Sequence, residues 1–534
     1  MADYTFNPTT ASGATIPTQA NSNDSGREKY RIYNVFKPTI VLDEMSLPET
    51  NPDGKTQKIE NKTSLEFPFI KINDYLISRG EIDYFQIDST RRLPTITLTL
   101  SFINDKFFTK EMPKDGDIIS VAITNKSDLL KPIRNDYVIT GFTPLKKSTT
   151  VKEGNTVTFF GELFIPGLSG YRGSAAFNMT SMDALKSIAK NFNLGFNTNE
   201  ENTDDKQIWF VSTSYDLAIE EISSRSWKDE NSFFDWWIDV YYNFNFVNIQ
   251  KQLLSSEDEI DIAASLSNVP KEYYWGKDKK DTIEAPKVFS NFNGYRTTSF
   301  YITDWKPINR SSAITFDYGA SVQATFFEHN KVLYEDPEKT KYWSFKIEPA
   351  YDPEKVNSHI LLRGRANWDA SMLSSSEPAR ANYSYVDLYN ISPWLGIQYT
   401  ISNPEEDNTK WTGNHHRNYA RSVIQNIINR VELEKLNVEI FVQGTNLNII
   451  KGDKVPIVLI QKDRFENLLI DKNFIASEAL EFFYTGWYYV KGFTLSWMRE
   501  DSQVFSQFSQ KFVLTRREWP TPIPVEPIKK TNNK

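Results

Sequence analysis

The chain has 534 residues, 39% of them hydrophobic, with 36 Phe, 26 Tyr and 13 Trp, which excludes wholesale disorder and suits roughly two to four packed domains. Its 61 basic and 69 acidic residues leave a net charge of −8, so there is no global basic footprint for nucleic acid. It has no cysteine, which removes disulfides, thiolate chemistry and cysteine-based zinc sites.

Residues 1–29 form a polar Thr/Ser/Asn arm without the basic and apolar regions of a secretory signal, and no run in the chain reaches the roughly 18 apolar residues of a membrane helix. Residues 30–170 read as strands. In "LPTITLTLSF" (93–102), Ile96, Leu98, Leu100 and Phe102 alternate with Thr95, Thr97, Thr99 and Ser101, the period of a half-buried strand. "DGDIISVAI" (115–123) enters a second strand through the turn residues Gly116 and Asp117, and "YVITGFTP" (137–144) carries Gly141 and Phe142.

Residues 171–265 change period and read as an α/β insert, reached through the glycine-rich "GLSGYRGS" (167–174). Thr180 is an N-cap with Asp183 three residues on, and Met182, Leu185, Ile188, Ala189 and Phe192 share a helical face that Asn193 and Gly195 end. "QIWFVS" (207–212) and "FNFVNIQ" (244–250) read as strands. "SFFDWWIDVYYNF" predicts a second helix with Phe233, Trp236, Trp237, Val240 and Tyr241 on one side.

Residues 266–433 form a mixed β-rich region ending in a helix over 415–433, where Tyr419, Val423, Ile427 and Val431 keep i, i+4 spacing. Over 434–517 the earlier order returns. "LNVEIFVQG" (436–444) alternates Val438, Ile440 and Val442; "KGDKVPIVLI" (451–460) turns at Gly452 and Asp453; "YYVKGFTLSW" (488–497) carries Gly492 and Phe493. Three matches in one order point to a duplicated β-fold, with Gly141 and Gly492 marking a bulge or sharp bend. Pro456 needs an edge or a strand start, because it has no N–H to give a ladder. The tail, 518–534, has prolines at 520, 522 and 524 and must be extended.

No catalytic, cofactor or metal motif emerges. The four histidines (His329, His359, His415, His416) lack ligand spacing and read as surface residues, "NPDGKT" (51–56) is a turn rather than a phosphate loop, and the acidic run near 255–262 is a solvated face. The "WW" and "FF" doublets fit a core better than a sugar site. The residues alone leave open a receptor- or glycan-binding protein and, less favoured, a wall-degrading hydrolase.

The two strand sets, the intervening α/β segment, the late helix running into "LNVEIFVQG" and the closing "YYVKGFTLSW" with its trailing "VFSQFSQKFVLTRREW" resemble the baseplate hub proteins of contractile-tailed phages of the T-even type, related to the N-terminal part of type VI secretion spike proteins. The resemblance covers residues 30–517 in patches. It implies an α+β, mainly β fold: two similar tube-type β-barrels (30–170 and 434–517), the α/β insert and the mixed region. It also implies a non-enzymatic virion component, assembled in the host cytoplasm, that forms a homotrimer. Three chains with two barrels each would match a sixfold tail tube above and a threefold spike below, around a channel for DNA as cargo. The partners it implies are the tube protein, other baseplate proteins and a separate spike, with no stable membrane association. Trp519, Pro520, Pro522 and Pro524 are the candidate spike contact.

Overall fold

The computed structural model describes residues 68–102, 113–123, 133–144, 155–169, 175–254, 289–291, 300–309, 321–328, 342–348, 365–367, 382–389, 416–461, 481–499 and 508–516, apart from short gaps within these runs. The N-terminal arm, the glycine-rich residues 170–174 and the proline-rich tail with Trp519, Pro520, Pro522 and Pro524 lie outside them.

The first strands are β1 (Phe69–Ile72), β2 (Tyr75–Leu76), β3 (Ile82–Asp88), β4 (Thr95–Phe102), β5 (Ile118–Ile123), β6 (Ile133–Pro144) and β7 (Asn155–Leu163). A mixed segment follows: β8 (Ala175–Met179), α1 (Ser181–Asn191), β9 (Gly195–Asn197), β10 (Gln207–Val211), α2 (Tyr215–Ser224), β11 (Phe234–Ile238), β12 (Asn243–Asn248) and α3 (Ile249–Leu254). Then come β13 (Phe289–Ser290), β14 (Ile302–Asn309), β15 (Ser321–Glu328), β16 (Tyr342–Glu348), β17 (Arg365–Asn367) and β18 (Asn382–Tyr389). The last strands are β19 (Leu436–Val442), β20 (Lys454–Val458), β21 (Gly486–Met498) and β22 (Phe508–Arg516). The fold is mainly β.

Thirteen strands form one sheet in the order β14-β19-β22-β21-β3-β4-β7-β6-β5-β1-β2, with β20 on β21 and β13 on β20 as a branch. Alternation in sequence becomes alternation in burial: Ile96, Leu98 and Leu100 of β4 are buried, and the threonines between them face the other way. The apolar face belongs to a core running through both ends of the chain, from Ile70 to Leu514. β15–β18 make a separate four-stranded sheet, in the order β17-β16-β15-β18.

Within the large sheet the same pairing occurs twice. β3-β4-β7-β6-β5 and β14-β19-β22-β21-β20 have the same neighbour order, and every pair is antiparallel. Ile96 opposes Gly161 and Leu98 opposes Phe159, as Val438 opposes Leu514 and Ile440 opposes Phe512. The ladders also slip at matching places. One slip lies between Ile82 and Tyr84, as between Ile302 and Asp304; the other lies between Ile139 and Gly141, as between Val490 and Gly492. The sets diverge at the next strand, where β1 is antiparallel to β5 but β13 is parallel to β20. They share one continuous sheet, because β21 also pairs with β3. Pro456 lies inside β20, between Val455 and Ile457, which pair with Tyr488 and Gly486 of β21. The alternation of the ladder turns its missing N–H away from β21.

In the mixed segment, α1 starts on Thr180, whose hydroxyl accepts from the Asp183 N–H, and ends before Asn193 at φ 55°. The helix expected over "SFFDWWIDVYYNF" is instead β11, paired with β12. Both faces of this strand are covered. Trp236 stacks on Phe244 at 5.6 Å, while Trp237 meets the Lys451 ammonium on the other side, so apolar residues fall at consecutive positions and imitate helical spacing. Within 415–433 the described residues Ser422, Val423, Gln425, Asn426, Asn429, Arg430 and Leu433 are helical, with Gln425, Asn426 and Asn429 buried beside Val423, while Tyr419, Ile427 and Val431 lie outside the described residues.

Candidate functional site: the joint between two matching strand sets

The two Gly-Asp turns are built alike. The Gly116 N–H donates to the Ile139 carbonyl at 2.9 Å and the Ile139 N–H to the Asp117 carbonyl at 2.7 Å; Gly452, Val490 and Asp453 repeat this at 2.9 and 2.8 Å. The Asp117 carboxylate accepts from the Lys114 N–H and the Asp453 carboxylate from the Ile450 N–H, at 2.8 and 2.9 Å. Gly116 and Gly452 sit at φ 92° and 96°, where a side chain is strained. Gly452 has a second constraint: a Cβ there would lie 2.9 Å from the Trp237 ring.

Past its bulge, β21 leaves its own strand set and pairs with β3, Thr494 opposite Asp88 through Met498 opposite Tyr84. At one end Ser89 donates its N–H to the Phe493 carbonyl at 2.9 Å, and its hydroxyl accepts from the Phe493 N–H at 3.2 Å. At the other end the Arg499 N–H donates to the Asp83 carbonyl at 2.9 Å, and its guanidinium pairs with the Asp83 carboxylate at 2.8 Å. Gly492 lets the strands approach: a Cβ there would stand 2.6 Å from Thr90 Cα and 2.7 Å from the Ser89 carbonyl oxygen. Gly141, at the matching position of the first set, has nothing within 4 Å of its Cβ position.

A partly buried charge cluster ties the mixed segment to this joint. Arg92, in the turn after β3, pairs with Asp235 of β11 and, at 3.2 Å, with Glu220 of α2, and lies over the Trp236 ring. Arg430 of the late helix also pairs with Glu220. Lys451 donates to the Thr90 and Arg91 carbonyls at 3.4 and 3.3 Å and faces the Trp237 ring at 5.2 Å. Burial would raise the pKa of Asp235, but Arg92, Lys451 and Arg430 outweigh it and bring the carboxyl down to about 2. Ile238 completes the tie, its N–H donating to the Arg92 carbonyl at 2.8 Å.

His416 departs from the surface reading. It is buried, and its Nε2 lies 2.9 Å from the Arg225 carbonyl oxygen, which holds the start of the late helix against α2. Among the described residues no cluster of three His, Asp or Glu side chains could hold a metal ion, and no helix is long and apolar enough to cross a membrane. The sequence reading missed Ser89, Thr90, Arg92, Asp235 and Lys451, and it missed β14 as the counterpart of β3. The turn-forming "DSTRR" (88–92) was the only signal for the first three.

Gly492→Ala should lower unfolding stability by about 2 kcal/mol or more, because backbone must move, whereas Gly141→Ala should change it by under about 1 kcal/mol; denaturant titration of both variants checks this. Asp235, with its pKa lowered, contributes stability above the ordinary carboxylate range that is lost as pH falls through about 2. Asp136 and Asp205, raised to about 6 by burial, act with the opposite sign and favour the fold as pH falls below that value. Between pH 4 and pH 2, Asp235→Asn should therefore flatten the acid loss of melting temperature while lowering the melting temperature at neutral pH.

No family model and no curated protein matches the chain. Solved structures similar to it include a tail protein from Neisseria meningitidis MC58, at 11% identity and a TM-score of 0.42 over 85% of this chain and 96% of that one. Another is the 43 kDa tail protein of prophage MuSo2 from Shewanella oneidensis, at 10% identity and a TM-score of 0.41 over 85% and 99%. A third is the E. coli c3393 protein, a component of the type VI secretion system with structural similarity to T4 bacteriophage tail proteins, at 12% identity and a TM-score of 0.33 over 85% and 80%.

Proposed function

We propose that this chain is a structural tail component, a baseplate hub, in which three copies build a ring that presents six similar strand sets to a sixfold tail tube and threefold material to a separate spike. The family reading comes from the sequence resemblance. The observation that carries the ring is the repeated pairing: one neighbour order, one register and two matching slips, in strands that one chain holds side by side in a single sheet. Duplication with conserved register lets threefold symmetry imitate sixfold symmetry, since each chain supplies two alternating units. We take the two units to be the tube-type barrels expected at 30–170 and 434–517, the second extended by β14 (Ile302–Asn309), with residues 171–265 as an insert between them in the chain. The protein acts by geometry, without catalysis or cofactor. DNA passes as cargo, and a chain of net charge −8 gives phosphates no general basic surface to hold. The extended tail from Trp519 is the proposed spike contact.

The mass of the assembled protein, measured by sedimentation alone and with the neighbouring spike, should be that of a trimer; a dimer or a persistent monomer in both preparations contradicts the ring. Removing residues 519–534 should abolish spike attachment while leaving three hub chains per assembly, and unaltered attachment would reject the tail as the contact.

A further inference from the structure

The late helix is seated on the mixed segment by amides. Among its described residues only Val423 and Leu433 are apolar, while Gln425, Asn426 and Asn429 are at most 2% exposed. The Asn426 amide donates to the Ser224 and Ser226 carbonyls at 2.9 and 3.0 Å and accepts from the Phe234 N–H at 3.2 Å. Gln425 donates to the Asp229 and Ser232 carbonyls, and Arg430 pairs with Glu220. Ser224 ends α2, so its carbonyl has no partner further along that helix. Beside these bonds, both ends of the Asn429 amide, the Gln425 Oε1 and the Ser223 hydroxyl are buried without a hydrogen-bond partner. The far end of the helix is fastened differently. Leu433 packs with Phe233, Trp237 and Tyr489, and its carbonyl accepts from the Thr515 hydroxyl at 2.7 Å.

We infer that the late helix is a hinged strap: residues 422–430 lift off α2 together while Leu433 stays fixed beside β19, with less free energy than the sheet needs to open. The balance of contacts carries this. On opening, an amide's hydrogen bond to a carbonyl is exchanged for one to water, with a small net change. The Arg430 and Glu220 side chains are 34% and 38% exposed, so solvent screens their pairing, and Glu220 keeps Arg92 after release. The unmet groups gain water, which favours release. Among the described residues of 422–430, only Val423 adds apolar area against it, whereas Leu433 sits in an apolar cluster. On release the mixed segment loses its contact with the chain entering β19 and keeps the turn after β3 through Arg92 and Asp235. The strap thus adjusts how firmly the mixed segment is seated.

The full chain has no native cysteine, so a single introduced thiol reports opening through its rate of labelling. Under native conditions Val423→Cys should react with a maleimide about a hundredfold faster than Ile440→Cys, although both sites are buried. Leu433→Cys should stay near the slow rate. Adding Asn429→Leu to Val423→Cys removes an unmet amide and should slow its labelling about tenfold. Ser223→Ala should act in the same direction, and as the smaller change it covers the case in which leucine does not fit. Equal rates at 423 and 440 would mean that the helix opens only with the sheet, which overturns the strap. Fast labelling at 423 that neither second substitution slows would overturn the amide seam as its cause. Fast labelling at 433 as well would remove the hinge.

Discussion

The fold turns on a single contact, the pairing of β21 with β3. Ser89 and Phe493 are 404 residues apart in sequence, yet they exchange hydrogen bonds as adjacent strands of one sheet. That contact makes the two strand sets parts of a single layer over a single core. It requires a residue without a side chain at 492, because the Ser89–Thr90 backbone occupies the place where a Cβ would stand. The long-range closure is costly in chain entropy, and the buried Leu495 and Trp497 beside Phe85 and Ile87 offset it with apolar area removed from water.

The charge cluster around Arg92 sits where four pieces of chain meet: the turn after β3, β11, α2 and the late helix. Surface ion pairs contribute little, and buried ones are weak evidence for stability as such. Leaving one member unpaired is expensive, however, so the cluster selects the arrangement in which every member is matched. Arg92 donates through one guanidinium nitrogen to the Asp235 carboxylate and the Trp236 carbonyl and through the other to Glu220, while its own carbonyl takes the Ile238 N–H, which fixes the position of the mixed segment. The segment is thereby held at the joint and not hung from a flexible stem. Trp237 against Gly452 extends the same registration to the second strand set.

Much of the large sheet was legible in the sequence, because its ingredients are local. Alternation in 95–102 and 436–442 follows from one buried face, and the Gly-Asp turns follow from a backbone that needs positive φ at 116 and 452. What remained hidden depended on distant contacts. "DWWI" satisfies helical spacing because both sides of β11 are covered, and only its partners β12 and Lys451 reveal the strand. α2 went unnoticed although Ser214 precedes it, since Ala218, Ile219 and Ile222 make a narrow apolar stripe among acidic residues. β14 was hard to match to β3 by eye: "ITDWKPIN" and "IDYFQID" share only Ile at the bulge and an aromatic at Trp305 and Phe85, and their equivalence shows in hydrogen-bond register. The difference between Gly141 and Gly492 is a property of surroundings, which no reading of either strand contains.

The central claim is that one strand arrangement is used twice so that a threefold ring can present six equivalent units. A three-dimensional electron-microscopy reconstruction of the purified assembly, computed without imposed symmetry, tests it most directly. The account predicts three chains whose two strand sets superpose on one another by successive sixfold steps around a common axis. A ring in which the sets containing β6 and β21 lie at different radii or inclinations, unrelated by that rotation, would contradict it.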